Sequence, residues 1–80
     1  MRRDSIKSLR PLTTLLPSEV AAVAKLKLPE AETYRLGELG LRRGAAVRVL
    51  QGRTDESILL AVGDSRIGVN FETASQIFVF

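Results

Sequence analysis

The chain contains no cysteine, no histidine and no tryptophan, and its aromatic residues are only Tyr34, Phe71, Phe78 and Phe80. Without Cys or His, a single chain cannot assemble a thiolate or imidazole metal site. Thiol nucleophiles and histidine acid–base chemistry are excluded with them. The fold needs no disulfide, which is compatible with the cytosol. A dense Asp/Asn loop of the calcium-binding kind is also missing. No unbroken apolar run exceeds five residues, as in Ile58–Val62, whereas a spanning helix needs about 20. Basic residues open the chain, but Lys7, Arg10 and Pro11 interrupt any signal-peptide core. The expectation is a cytoplasmic protein that carries no cofactor and touches membrane only indirectly.

What is present suits one small domain. The chain has 80 residues, 45% of them hydrophobic and mostly Leu, Val, Ile and Ala, enough for one aliphatic core. The net charge of +3 would invite a polyanion, but it is unevenly placed. Residues 1–10 hold Arg2, Arg3, Lys7 and Arg10 against Asp4, whereas residues 11–80 hold eight basic and eight acidic side chains. The division expected is a basic, frayed arm over 1–10 and a charge-neutral domain over 11–80.

Along that domain, Pro11 and Pro17 bracket a turn in which Thr13 and Thr14 cap local amides, plugging Leu12 and Leu15 or Leu16 into the core. Residues 20–28 alternate, with Val20, Ala22, Ala24, Leu26 and Leu28 on one side and Lys25 and Lys27 on the other, which predicts a half-buried strand. Pro29 ends it and opens a helix of about ten residues, with Glu30 and Glu32 at its positive end and Gly40 as a left-handed cap. From Gly44 the pattern is β. Val47 and Val49 face inward, Gly52–Glu56 forms a polar turn, and Ser57–Val62, apolar on both faces, makes a central strand. Gly63-Asp64-Ser65 is a tight hairpin, Ile67 and Val69 share a face, and Glu72–Ser75 is a single helical turn. The last strand points Ile77 and Val79 inward. These elements are too short for a doubly wound sheet, and hairpins that must hide their edges curl instead. The fold class expected is all-β, a small SH3-like barrel of about five strands with one short α-helix.

Catalytic sites are poorly supported. Glu30, Glu32 and Glu38 are explained by a solvated helix face, Ser57 and Ser65 lack a base, and the glycines form no phosphate loop. Alternation sends Phe78 and Phe80 away from the core. There they either pack beneath the lead-in near Leu9 and Leu12 or form an apolar edge for a second protomer or another protein.

The most distinctive passage is Arg35-Leu36-Gly37-Glu38-Leu39-Gly40-Leu41-Arg42-Arg43-Gly44, followed by Val47-Arg48-Val49. It resembles the FeoA family, ferrous iron transport protein A, with its R-L-x-x-L-G-[LM]-x-x-G-x-x-V-x-V signature. Pro11–Pro17 resembles that family's opening turn, and Gly63–Val69 with Ala74, Ile77 and Val79 its closing hairpin and last strand. Ser18 stands where the family usually has Gly, and Gln51–Ser57 replaces a common Pro-Leu-Gly stretch. Structurally, Leu36, Leu39 and Leu41 anchor the helix, while Gly40 and Gly44 adopt angles that a Cβ resists. The resemblance implies a non-catalytic accessory protein of bacterial ferrous iron uptake, docking on the cytosolic GTPase region of the membrane transporter FeoB. The residues expected to meet a partner are Arg35, Leu39, Gly40, Leu41, Arg42 and Arg43 at the helix end, and Phe78 and Phe80 on the last strand. Two rival readings share the barrel. One is an RNA-binding module of the KOW kind, suggested by Gly44–Gly52 but opposed by Asp55, Glu56 and the neutral charge of the domain. The other is a regulatory module like those of metal-dependent repressors.

Overall fold

The structure is a computed structural model in which residues 9–54 and 57–80 are described. The expected basic arm therefore lies outside the described residues up to residue 8, as do Asp55 and Glu56 of the expected polar turn. Six antiparallel strands form the sheet: β1 (Arg10–Pro11), β2 (Val20–Leu26), β3 (Ala46–Thr54), β4 (Ser57–Val62), β5 (Ser65–Asn70) and β6 (Ile77–Val79). Their order across the sheet is β1-β6-β2-β3-β4-β5. A nine-residue helix, α1 (Glu30–Glu38), joins β2 to β3, and a four-residue helix, α2 (Phe71–Ala74), joins β5 to β6. This is the all-β, SH3-like architecture with one short helix that the pattern predicts, extended by the two-residue β1.

Inward residues of successive strands meet in one core. Val23, Val47, Val49, Ile58, Leu60, Val62, Ile67, Val69, Ile77 and Val79 are all buried in it. Leu12 and Leu15 enter from a 3₁₀ turn at Leu12–Thr14, as expected, while Leu16 stays exposed. The amide cap expected from the threonines is not formed; Thr14 Oγ1 instead donates to the Pro11 carbonyl at 2.8 Å. β4 lies between β3 and β5, consistent with its apolar character on both faces. Gly63 has φ +60 in the two-residue β4–β5 turn, and Asn70 Oδ1 accepts from Thr73 N at 2.8 Å to start α2.

Three expectations are corrected. First, Val20 was placed inward, but it is 60% exposed, and the buried residue of β2 is Val23. The register explains it: Val23 faces Val79, yet Lys25 faces Phe78 one residue back on β6, so Ala24 is an extra residue. A bulge of this kind shifts the phase of the pleat. Ala21 and Val23 face in before it, and Leu26 faces in after it. Second, Arg10 belongs to the sheet rather than to an arm, because it sits opposite Val79. Third, β3 runs on to Thr54 through part of the expected turn, with two register shifts against β4.

Among the described residues other than glycine, Ser18 alone has a positive φ, +76, and its N–H donates to the Val49 carbonyl at 2.7 Å. A side chain in that region costs on the order of 1–2 kcal/mol. Part of the gain from glycine returns as unfolded-chain entropy. Ser18→Gly is expected to stabilise the fold by about 0.5–1 kcal/mol. A denaturant midpoint that is unchanged or lowered would refute the strain reading.

Candidate functional site

The end of α1 is built by its own backbone. Gly40 has φ +100, its N–H donates to the Gly37 carbonyl at 3.0 Å, and the Leu41 N–H donates to the Leu36 carbonyl at 3.0 Å. These two bonds make the Schellman ending, in which the residue after the left-handed glycine folds back on the last turn. Leu41 and Leu36 are accordingly both buried, as that motif requires. Arg42 Nη2 donates to the Gly37 carbonyl at 2.9 Å, placing a cation at the negative end of the helix. Gly44, at φ +88, returns the chain to the sheet, its N–H donating to the Val23 carbonyl at 2.8 Å.

The residues expected to meet a partner therefore divide. Arg35, Arg42 and Arg43 are exposed, and Leu39 is 44% exposed beside a groove between α1 and β5 that Arg35, Leu36 and Gly68 also line. Arg35 Nη2 pairs with Glu32 Oε2 at 2.7 Å, a surface pair worth a few tenths of a kcal/mol. Gly40 acts through its backbone angle. Leu41 is a correction: at 0% exposure it cannot touch a partner, and its role is to hold the loop that carries Arg42 and Arg43. Leu39, grouped with the anchors from its spacing, is instead at the surface, because the helix ends at Glu38 and the chain turns away.

Phe78 and Phe80 do lie on the outward side, with Ile77 and Val79 buried between them. Phe78 is half-buried, with Lys27 Nζ 5.9 Å from its ring centroid. Phe80 is 57% exposed. Its N–H donates to the Ala22 carbonyl and its carbonyl accepts from the Ala22 N–H, each at 3.0 Å. The strand is not an edge. β6 is paired on both sides, by β1 and β2, so it does not offer its backbone to another strand. Nor do the phenylalanines cover Leu12, which belongs to the inner core. Sequence reasoning faced Arg48 outward, as it is, but named neither it nor Val20 and Arg66 as candidate contacts on this side. Arg48 was legible as outward from its place between Val47 and Val49, but its neighbours across the sheet were not.

At the mouth formed by the lead-in and β2, Glu19 Oε1 accepts from the Leu16 N–H at 2.9 Å and Oε2 accepts from Arg10 Nη2 at 2.6 Å. The Leu16 amide first, and Arg10 second, hold the carboxyl below its ordinary value of 4.5. A carboxylate depressed in the folded state contributes stability above its unfolded value, and that contribution fades as pH falls through the folded value. Glu19→Gln is expected to lower the melting temperature at neutral pH and to flatten its decline between about pH 5 and 3. Parallel melting curves for the two proteins across that window would refute the assignment.

Among the described residues, no group of three or more Asp or Glu side chains gathers as a metal site, and no helix is long and apolar enough to cross a membrane. The fold and the surface loops define a small SH3-like domain. A family model for the FeoA domain matches residues 10–79, so the chain belongs to the FeoA family, which is associated with ferrous iron transport. Solved structures agree. A crystal structure of an iron uptake regulatory protein, FeoA, is 24% identical with a TM-score of 0.80, covering 89% of this chain and 95% of that one. The zinc complex of FeoA from Stenotrophomonas maltophilia, described as a prokaryotic SH3 domain protein, is 28% identical with a TM-score of 0.72, covering 88% of each chain. A manganese-dependent transcriptional repressor shares the fold at 20% identity and a TM-score of 0.78, over 90% of this chain and 41% of its own. No curated protein matches the chain significantly.

Proposed function

We propose that this chain is a cytoplasmic, non-catalytic accessory protein of ferrous iron uptake that docks on the cytosolic GTPase region of a FeoB-type transporter. The observation that carries the reading is the FeoA match, which spans the sheet from β1 to β6. The chemistry available supports it. A barrel with no cysteine or histidine and a core of aliphatic side chains acts through its surface. The domain arrangement proposed is a basic arm ahead of the barrel, and the arginines of the α1 end are candidate contacts. The resemblance to repressors is one of fold and carries no DNA-binding reading.

Calorimetry of the full chain with the transporter's cytosolic domain, with and without a GTP analogue, tests the proposal. Saturable binding in at least one nucleotide state is expected, with no nucleotide hydrolysis by the chain alone. Absence of heat and of co-purification in both states would overturn docking. Tight RNA binding that persists without residues 1–8 would replace it with the KOW-like alternative.

A further inference from the structure

The neutral charge of residues 11–80 conceals a separation of sign. Strand registers place side chains in rows on the outward face. One row crosses four strands, with Val20 opposite Arg48, Arg48 opposite Ala61, and Ala61 opposite Arg66. The next is apolar: Phe80 lies beside Ala22, Ala22 faces Ala46, and Leu9 stands one residue beyond the Arg10–Val79 pair, alongside Phe80. Val20, Leu9 and Phe80 are large apolar side chains left exposed among the described residues. Beyond them Lys25 lies opposite Phe78, and Lys27 reaches over its ring. Among the described residues, every charged side chain on this face of the strands is thus cationic. The acidic residues among those described stand elsewhere: Glu30, Glu32 and Glu38 on α1, Asp64 in a hairpin turn, Glu72 on α2, and Glu19 tied to Arg10.

We propose that this outward face is a docking surface for an acidic, amphipathic segment of a partner polypeptide, whose apolar side chains cover Phe80, Ala22 and Val20 while its carboxylates meet Arg48, Arg66 and Lys25. The inference deepens the docking reading above by naming a surface and the chemistry of what it receives. An apolar strip flanked by charge of one sign is complementary to a segment carrying the opposite charge on either side of an apolar stripe. Nucleic acid fits less well, because the cations are spaced around apolar side chains that phosphate would not desolvate. A bilayer fits less well too, since the strip is centred on alanines and projects little, whereas interfacial insertion buries an apolar face about 5–10 Å deep. Two copies of this chain, face to face, would oppose cation to cation.

The test is backbone amide NMR of the full chain titrated with four probes. They are the transporter's cytosolic domain, a synthetic helical peptide with Leu on one face and Glu on the others, vesicles containing anionic lipid, and single-stranded RNA. The transporter domain and the peptide are expected to shift the amides of Ala22, Ala46, Arg48 and Phe80. Arg48→Glu with Arg66→Glu should weaken both by about tenfold or more, and added salt should weaken them further. Phe80→Ser should weaken both without altering the rest of the spectrum, which also reports that the variants remain folded. Arg42→Glu with Arg43→Glu should weaken binding less than the Arg48 and Arg66 reversals do; a larger loss moves the contact to the α1 end and overturns this surface. If the transporter domain shifts the α1 end instead, the surface is wrong while docking stands. If that domain does not bind, docking fails and the peptide decides: shifts on this face retain the surface, and none overturns it. Tighter binding of vesicles or RNA at these amides overturns a polypeptide occupant, as does self-association that the arginine reversals abolish.

Discussion

Leu41→Ala is expected to lower stability by about 2–5 kcal/mol, whereas Leu39→Ala, two residues earlier, should cost less than about 1 kcal/mol. Leu41 is fully buried and Leu39 is 44% exposed. Truncating Leu41 removes apolar surface from the core and leaves a cavity that the Schellman ending cannot easily close, because its backbone is bonded to Leu36. A chain of this length has about 4–12 kcal/mol of total stability, so the larger loss leaves little margin. In a domain of this size, each kcal/mol shifts the melting temperature by about 4–8 °C. Thermal or denaturant unfolding of the two variants separates them. Equal losses would show that both leucines anchor the helix.

Gly40→Val should destabilise by about 2–3 kcal/mol, while Gly37→Ala, in the same helix, should stabilise by about 0.5–1 kcal/mol. Gly40 is held at φ +100, a conformation that a β-branched residue strongly resists, even though a Cβ there would meet only the Val62 side chain at an ordinary 3.5 Å. Gly37 has no positive φ, and a Cβ there meets nothing within 4 Å. Alanine at that position gains helix propensity without a clash. The opposite signs make the pair diagnostic. If both substitutions destabilise alike, tight packing rather than backbone angle explains the glycines.

The signature around α1 thus has a physical meaning separable from recognition. Leu36, Gly40 and Leu41 are required by the way the helix stops, and a sequence carrying them would keep them with or without a partner. Arg42 is split between capping the Gly37 carbonyl and facing solvent, and Arg43 only faces solvent. The capping at the end of α1 was therefore legible, because it is local chemistry written within six residues, whereas the exposure of Leu39 and the burial of Leu41 were not. The same holds for the alternation of Val47, Arg48 and Val49, and for the hairpin at Gly63-Asp64.

The orientation of β2 was not legible. Alternation over residues 20–28 is real, but a single extra residue at Ala24 reverses which half of it faces the core, and only the pairing partner on β6 reveals that. That reversal put Val20 on the surface. The position of β6 was hidden for a similar reason: a terminal segment in sequence becomes an interior strand once β1 pairs with it, and β1 is two residues long. Such a strand has no period of its own to read.

The sequence by itself determined the chemistry this protein lacks, the barrel class, the form of the helix ending and the FeoA resemblance, because composition, capping and hydrophobic period are properties of neighbouring residues. Tertiary structure decided which side chains share a surface. Val20, Arg48, Ala61 and Arg66 stand 46 residues apart from first to last and meet only across the strand registers. A domain whose charges cancel in a count can therefore present a single sign on one face, since a sum carries no geometry and a sheet does.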